Sequence, residues 1–173
     1  MHTLILGGAR SGKSALAERL ALASGREVVY IATAHALDAE MTTRIEHHRA
    51  RRPAHWHSVE SPLNLADTLH AQARADRCVL VDCLTLWLSN LLTHADAGLF
   101  EREREALLAT LPQLRGEVVL VGNEVGSGIV PMGELSRRFV DEAGRLHQAL
   151  GALCDRVVFV AAGLPLALKG NLA

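Results

Sequence analysis

The stretch Gly7-Gly8-Ala9-Arg10-Ser11-Gly12-Lys13-Ser14 is a complete G-x-x-x-x-G-K-S phosphate-binding loop near the start of the chain. The run before it, residues 2–6, is short and apolar, as a buried first strand should be. The run after it, residues 15–22, has helix-forming residues with helical apolar spacing. Strand, glycine loop and helix in this order predict a nucleotide-binding site.

The positions of this loop have separate physical tasks. Gly7 and Gly12 allow a tight turn in which successive N–H groups converge on phosphate oxygens. The helix that begins near Lys13 adds unpaired N–H groups and the positive end of its dipole. Lys13 is predicted to reach the β- and γ-phosphates, and the Ser14 hydroxyl to ligate magnesium. A glycine turn that only joins a strand to a helix is the alternative, and eight fitting positions in this context disfavour it.

The composition indicates one soluble domain over residues 1–173, long enough to bury a core without disulfides. The 18 basic and 19 acidic residues nearly cancel, so charge gives no case for nucleic-acid or membrane binding. The three cysteines (Cys78, Cys83 and Cys154) lack metal-ligand spacing, and their odd number fits reduced thiols. No segment approaches the ~20 apolar residues of a membrane span. We therefore expect a cytoplasmic protein.

Strand and helix patterns alternate along the whole chain. Strands are predicted at residues 27–32, 78–81, 117–121 and 157–161, and helices at 38–52, 61–75, 84–92, 100–111 and 134–153. Ser61 and Pro62 look like the N-cap and first position of the 61–75 helix. Repeated β-α units with continuously apolar strands predict an α/β fold, a mostly parallel sheet with helices on both faces.

Asp82 ends the apolar strand that precedes it. An acid at this position is where phosphate-loop proteins hold magnesium, directly or through water. Ligands also bind at this edge of open α/β sheets. An N-cap for the next helix is the alternative, and the phosphate loop favours the metal role.

The predicted 38–52 helix carries an unusual basic sequence, RIEHHRARR from Arg44. A 3.6-residue period places His48 on the packing face and His47 on a neighbouring face between Arg44 and Arg51. This cluster suits phosphates, and the nearby positive charge favours the neutral imidazole that can act as a nucleophile. A solvated basic face with a bystander histidine remains the alternative, because spacing alone cannot make His47 catalytic.

A third cluster, residues 122–131, follows the predicted 117–121 strand and therefore lies on the same edge. Asn123 and Glu124, followed by spaced glycines, suit a loop that approaches a ligand closely. The alternative is a simple glycine-rich connection. Glu60 and Thr33 are weaker candidates, since either could be a cap or a surface group.

Five segments together carry a family resemblance: GGARSGKS, YIATA (30–34), RIEHHRARRP (44–53), LVDCLTLWLSNLL (80–92) and NEVGSGIVP (123–131). The chain resembles the bifunctional adenosylcobinamide kinase/adenosylcobinamide-phosphate guanylyltransferase family of cobalamin biosynthesis. The resemblance runs in order from residue 3 to about Lys169. The phosphate loop is unspecific, whereas the RIxHH and NEVGxGIVP segments are specific to this family.

The resemblance implies two reactions and a homotrimer of RecA-like P-loop subunits. ATP or GTP phosphorylates the aminopropanol hydroxyl of adenosylcobinamide. GTP then guanylylates a histidine, and GMP passes to adenosylcobinamide phosphate to give adenosylcobinamide-GDP. The nucleophile is the first histidine of the HH pair, which is His47 here.

The resemblance also implies the residues of the site. Nucleotide contacts carry over to Gly7, Gly8, Ala9, Arg10, Ser11, Gly12, Lys13, Ser14, Ile31, Ala32, Thr33, His48, Arg49, Ala50, Arg51, Glu60 and Asp82. Lys13 and Mg²⁺, held by Ser14 and Asp82, would offset charge on pyrophosphate. Arg44, Asn123 and Glu124 are candidate substrate contacts. Asp82 and Glu124 are both candidate bases for the kinase step.

Three residues depart from the family pattern. Ser127 stands where methionine is commoner, Met132 where an acid often follows the proline, and His147 where asparagine is usual. Two other functions remain possible interpretations of the phosphate loop: a one-step small-molecule kinase with His47 a bystander, and a RecA-like ATPase acting on a macromolecule. The short, near-neutral chain disfavours the second.

Overall fold

The computed structural model describes residues 1–34, 53 and 55–172. These residues contain one seven-stranded sheet. The strands are β1 (His2–Gly7), β2 (Glu27–Ala32), β3 (His57–Glu60), β4 (Arg77–Asp82), β5 (Glu117–Asn123), β6 (Arg156–Ala161) and β7 (Leu164–Lys169). They lie side by side in the order β3-β2-β4-β5-β1-β6-β7. All neighbouring pairs are parallel except β6 and β7, which are antiparallel.

The helices connect the strands and cover both faces of the sheet. They are α1 (Lys13–Ala23), α2 (Leu65–Gln72), α3 (Leu84–Leu92), α4 (Leu99–Thr110) and α5 (Glu134–Leu153), with a 3-10 turn at Leu111–Gln113. Within the described ranges, no helix is long and apolar enough to cross a membrane. The predicted 38–52 helix lies outside the described residues.

Two apolar layers hold the helices to the sheet. On one face, Leu16, Ala17 and Ala21 of α1 pack with sheet residues such as Ile5 and Val121. On the other face, the larger layer includes side chains from the remaining helices: Leu69, Trp87, Leu107 and Leu146. The central strands bury both of their faces, which explains why they are continuously apolar in sequence. The predicted mostly parallel sheet with helices on both faces is confirmed.

The predicted helix start at Ser61 and Pro62 is wrong, because α2 begins only at Leu65. The Ser61 N–H donates to the Ala32 carbonyl at 2.8 Å, which prolongs the pairing of β3 with β2 instead of opening a helix. Side chains of α3 then bind the next two carbonyls. Asn90 Nδ2 donates to the Pro62 carbonyl at 3.0 Å, and Trp87 Nε1 donates to the Leu63 carbonyl at 2.6 Å.

The two edge strands, β3 and β7, were not predicted. β3 has only four residues, and most of them are exposed and polar. β7 contains Pro165 and is largely exposed. Proline and polar residues disqualify a central strand but are tolerated at an edge, where one side of the backbone needs no partner.

Candidate active site

The phosphate loop joins β1 to α1 as predicted, with Gly7 ending the strand and Lys13 opening the helix. The Ser11 N–H donates to the Gly8 carbonyl at 3.3 Å, and the Leu16 N–H donates to the Gly12 carbonyl at 3.0 Å as the helix starts. Gly12 has a φ of 98°, a conformation that side chains rarely adopt. The free N–H groups at the start of α1 therefore border the loop, the arrangement that binds phosphate in proteins.

Two neighbouring segments fasten the loop to the sheet. The Glu124 N–H donates to the Gly7 carbonyl at 3.0 Å, and the Gly163 N–H donates to the Ser11 carbonyl at 2.8 Å. Gly163 belongs to the tight turn between β6 and β7 and has a φ of 79°. This turn is not predicted from the sequence because β7 is not, although a glycine just after an apolar strand is a visible signal of a turn.

Lys13 lies inside the loop with only 8% of its surface exposed. Its Nζ donates a hydrogen bond to the Gly8 carbonyl at 3.0 Å. Burial lowers the pKa of Lys13, and the negative charge of Asp82 acts in the opposite direction. The ammonium group of Lys13 is thus held against the phosphate loop, and it is attracted by the negative charge of the Asp82 carboxylate.

Thr33 braces the chain next to Asp82. Asp82 is the last residue of β4 and pairs with Ala32 of β2, which places Thr33 and Cys83 side by side. The Thr33 hydroxyl donates to the Cys83 carbonyl at 2.6 Å and accepts from the Cys83 N–H at 2.9 Å. Asn90 Nδ2 donates to the Thr33 carbonyl at 2.8 Å. The side chain of Thr33 is therefore committed to holding Asp82 in place.

Strand β5 lies between the phosphate-loop strand and the Asp82 strand. Asn123 pairs with Gly7 on one side, and Val121 pairs with Asp82 on the other. The Asn123 N–H donates to Thr85 Oγ1 at 2.7 Å. Its Oδ1 is buried, and among the described residues it has no hydrogen-bond partner. Asn123 thus offers an unused acceptor between the loop and the predicted metal-binding acid.

Thr85 and Asn90 are positioning residues that are not among those predicted from the sequence. Both belong to α3, an otherwise very apolar helix, and both bind backbone groups at the carboxyl edge of the sheet. Polar residues at two positions of such a helix were the signal that could have found them, because buried polar groups are nearly always hydrogen-bonded.

Glu124 organises the segment that follows β5. Its Oε1 accepts the Gly126 N–H at 2.5 Å and the Ser127 hydroxyl at 3.1 Å. Ser127 is one of the three departures from the family pattern, and in this chain it adds a hydrogen bond to the carboxylate. One oxygen of Glu124 is therefore occupied by its own loop.

His147, another departure, lies behind the same segment on α5. A Cβ added at Gly122 would meet His147 Nε2 at 2.9 Å, so the imidazole lies directly against β5. Burial lowers the pKa of His147, and the negative charge of Glu124 opposes that shift. The folded protein therefore favours the neutral imidazole.

This shift predicts an effect of pH on stability. A lowered pKa means that the contribution of His147 to stability is present above about pH 6.5, the ordinary histidine value, and is lost as pH falls toward the folded pKa. His147→Asn removes this titration. We expect the urea midpoint of the wild type to fall more than that of His147→Asn between pH 7.5 and pH 5.5. Parallel midpoints across this range would contradict the prediction, since other titrating groups such as His2 are present in both proteins.

Two other predicted residues, Ala32 and Glu60, lie along the same edge. Ala32 pairs with Glu60 where β2 and β3 end, next to the Asp82 strand. Ile31 is completely buried in the core, so its side chain does not reach the edge. The structure thus brings the phosphate loop, Ala32, Asp82 and Asn123 to one edge of the sheet. The basic-helix residues Arg44, His47, His48, Arg49, Ala50 and Arg51 lie outside the described residues.

Comparison with known proteins gives the arrangement its context. Residues 3–168 match the family model described as cobinamide kinase / cobinamide phosphate guanyltransferase. The chain is 64% identical over 171 residues to the bifunctional adenosylcobalamin biosynthesis protein CobP of Pseudomonas aeruginosa, a match that covers 99% of each chain. It is 41% identical over 182 residues to the bifunctional adenosylcobalamin biosynthesis protein CobU of Escherichia coli, covering 98% of this chain and 100% of that protein.

Solved structures with lower identity share the fold. The RadB recombinase superposes with a TM-score of 0.52 at 19% identity, covering 91% of this chain and 73% of that one. The P4 protein of bacteriophage phi6, solved in complex with ADP, gives a TM-score of 0.50 at 18% identity, covering 95% of this chain and 53% of that one. These likenesses confirm the predicted RecA-like P-loop fold.

Proposed function

The chain belongs to the cobinamide kinase / cobinamide phosphate guanyltransferase family, and on that premise we propose that its second reaction passes through a covalent GMP on His47. The protein is a bifunctional enzyme of adenosylcobalamin biosynthesis, with a kinase and a guanylyltransferase activity. The assembly of phosphate loop, Lys13, Asp82 and Asn123 at one sheet edge supports nucleotide binding. That edge suits a nucleoside triphosphate with its phosphates at the start of α1. The choice of His47 as nucleophile rests on the family resemblance of the RIEHHRARRP segment.

In the kinase step, positioning and charge compensation are the main tasks of the protein. ATP or GTP lies with its phosphates on the 7–14 loop, and Lys13 stabilises charge on the transferred group. The hydroxyl of adenosylcobinamide attacks the γ-phosphorus, the bond to the β-phosphate oxygen breaks, and the hydroxyl proton leaves to a base. Asn123 Oδ1 is a buried acceptor with no hydrogen-bond partner among the described residues, on the residue that pairs with Gly7. Asp82 and Glu124 are the two candidate bases.

In the guanylyl step, an imidazole nitrogen of His47 attacks the α-phosphorus of GTP, and the bond to pyrophosphate breaks. An oxygen of adenosylcobinamide phosphate then attacks the same phosphorus, the P–N bond breaks, and neutral His47 is regenerated. Two easier displacements replace one difficult transfer. Arg44, His48, Arg49, Ala50 and Arg51 would contact the nucleotide beside the nucleophile, together with Ala32 and Glu60. Ile31 and Thr33 are fully buried and would support this edge from within the sheet.

Ser14 and Asp82 fit a magnesium ion. Ser14 directly follows Lys13, and Asp82 is close enough to act on the charge of Lys13, so both oxygen donors lie at the same edge. Magnesium is usually bound by one or two protein oxygens, with phosphate oxygens and waters completing its shell. When bound, Mg²⁺ would neutralise charge on the phosphates and on departing pyrophosphate.

The test uses GTP and magnesium with intact-mass analysis after denaturation. Wild-type protein is expected to gain the mass of one GMP, in a linkage that acid cleaves and alkali does not, as for a phosphoramidate. His47→Ala is expected to show no adduct while still binding nucleotide, and His55→Ala is a matched control that keeps it. An unmodified wild type that binds GTP would leave a one-step kinase in place of the two-reaction enzyme.

We further propose that the enzyme works as a cytoplasmic homotrimer. The family resemblance supports the trimer. The three free cysteines and the near-neutral charge of the chain support a cytoplasmic location. Mass determination in solution by light scattering tests the trimer directly.

A further inference from the structure

An apolar loop stands exposed next to the candidate active site. Residues 125–132, here called the apolar loop, carry no charged side chain. Ile129 is 98% exposed, Met132 95% and Val130 71%. Contiguous exposed apolar side chains are uncommon on a protein surface and mark binding surfaces.

Hydrogen bonds from polar side chains hold the apolar loop at both ends. At its start, the Glu124 carboxylate accepts the Gly126 N–H and the Ser127 hydroxyl. At its end, Arg137 Nη1 donates to the Pro131 carbonyl at 3.2 Å and to the Met132 carbonyl at 2.5 Å. The backbone is therefore tied back by hydrogen bonds while the apolar side chains project outward. Such a loop loses little additional conformational entropy when a ligand covers it.

Two grooves flank the apolar loop. One, of about 240 Å³, lies between the loop and α5 and includes Arg137, Val140 and Asp141. The other, of about 450 Å³, is lined by Leu92 of α3, Leu135 and Phe139 of α5, and Val125 and Pro131 of the loop. The second is within the roughly 300–1,000 Å³ range of small-molecule sites. The loop is thus an apolar ridge between two open grooves.

The apolar loop lies next to the sheet edge at which phosphoryl transfer would take place. The apolar loop follows Asn123 and Glu124, and the Glu124 N–H is bonded to the phosphate loop at Gly7. A hydroxyl that accepts the γ-phosphate must approach this same edge of the sheet. The rest of the acceptor must then lie next to the segment that leaves the edge, which is the apolar loop.

We propose that the apolar loop and its two flanking grooves are the docking surface for the corrin macrocycle of the acceptor. This inference rests on the cobinamide function of the family. A corrin ring presents broad, methyl-bearing faces and a rim of amide groups. Uncharged side chains such as Ile129 and Val130 suit the faces, and Arg137 and Asp141 at the groove suit the amide rim. The aminopropanol arm then extends from the ring toward Asn123 and the phosphate loop.

The test is equilibrium binding of adenosylcobinamide, followed by its visible absorbance after ultrafiltration, without nucleotide turnover. Ile129→Ser/Val130→Ser removes two highly exposed β-branched side chains of the apolar loop without adding charge. We expect about tenfold or more weaker corrinoid binding, because the apolar contact area is lost. The Michaelis constant for the nucleotide should change less than about twofold. Leu166→Ser/Leu168→Ser on β7 is the matched control, since these leucines are 60% and 59% exposed and their edge strand lies three positions from β5 in the sheet.

Three results would overturn the assignment, each in a different way. Wild-type corrinoid affinity in the loop variant would show that the ring docks elsewhere. A smaller solution mass for the loop variant than for wild type would show that the apolar loop is an interface between copies of the chain. A wild-type protein that binds nucleotide but no corrinoid would overturn the cobinamide function itself, and the docking surface with it.

Discussion

Replacing Lys13 by alanine is expected to lower the turnover of the kinase step by about 10²–10³-fold, the usual loss when one preorganised group facing transition-state charge is removed. Lys13 is the charged residue of the loop that is buried and already hydrogen-bonded to it, through the Gly8 carbonyl. Its ammonium group therefore needs little reorganisation to meet the phosphates. Initial rates at saturating nucleotide and adenosylcobinamide measure the effect.

The fold should survive this change. One hydrogen bond to the Gly8 carbonyl is lost, a contribution of about 1 kcal/mol, and the cost of burying a charge is lost with it. The natural control is Lys169→Ala, because Lys169 also donates to backbone carbonyls, those of Gly151 and Ala152, far from the loop along the chain. Lys169→Ala should keep wild-type turnover within about twofold. A Lys13→Ala enzyme with more than a tenth of wild-type turnover would remove Lys13 from the chemistry.

The central architecture could be predicted because its cause is local. Residues 4–6, 78–81 and 118–121 are apolar at every position because helices cover both faces of the sheet. The glycine loop between β1 and α1 could be recognised for a similar reason, as Gly12 needs a backbone conformation that few residues adopt.

The edges and the fine geometry of the site depend on contacts between distant residues, which a pattern along the chain does not contain. β3 exists because its backbone pairs with β2, and the start of α2 is delayed because Trp87 and Asn90 bind the carbonyls before it. In the same way, the sequence predicts Thr33 as a ligand contact but does not contain the hydrogen bonds of its hydroxyl with Cys83, next to Asp82. A polar residue near a ligand edge is equally expected to bind ligand or to brace a residue that does.

Replacing Gly7 by alanine is expected to damage both the fold and nucleotide binding. A Cβ at Gly7 would lie 2.5 Å from the Val160 carbonyl oxygen and 2.6 Å from Ser11 Oγ, closer than real Cβ contacts come. The first neighbour is backbone of β6, the strand that pairs with β1 at this residue, so it cannot rotate away. We expect a loss of about 1–3 kcal/mol in the free energy of unfolding, as for other overpacked sites. Displacement of the loop should also weaken nucleotide binding, because the N–H groups that converge on the phosphates move with it.

The adjacent residue, Gly8, allows an effect on the fold to be distinguished from an effect on nucleotide binding. Apart from its chain neighbours, a Cβ at Gly8 would meet no atom of the described residues within 4 Å, so Gly8→Ala should leave the free energy of unfolding within about 0.5 kcal/mol of wild type. If Gly8 faces bound phosphate, as its place in the loop predicts, the added methyl group weakens nucleotide binding without weakening the fold. Urea unfolding and nucleotide titration of both variants therefore distinguish a glycine required by the strand beside it from one required by the ligand. Equal destabilisation by the two substitutions would show that the close contact with Val160 is not what requires glycine at position 7.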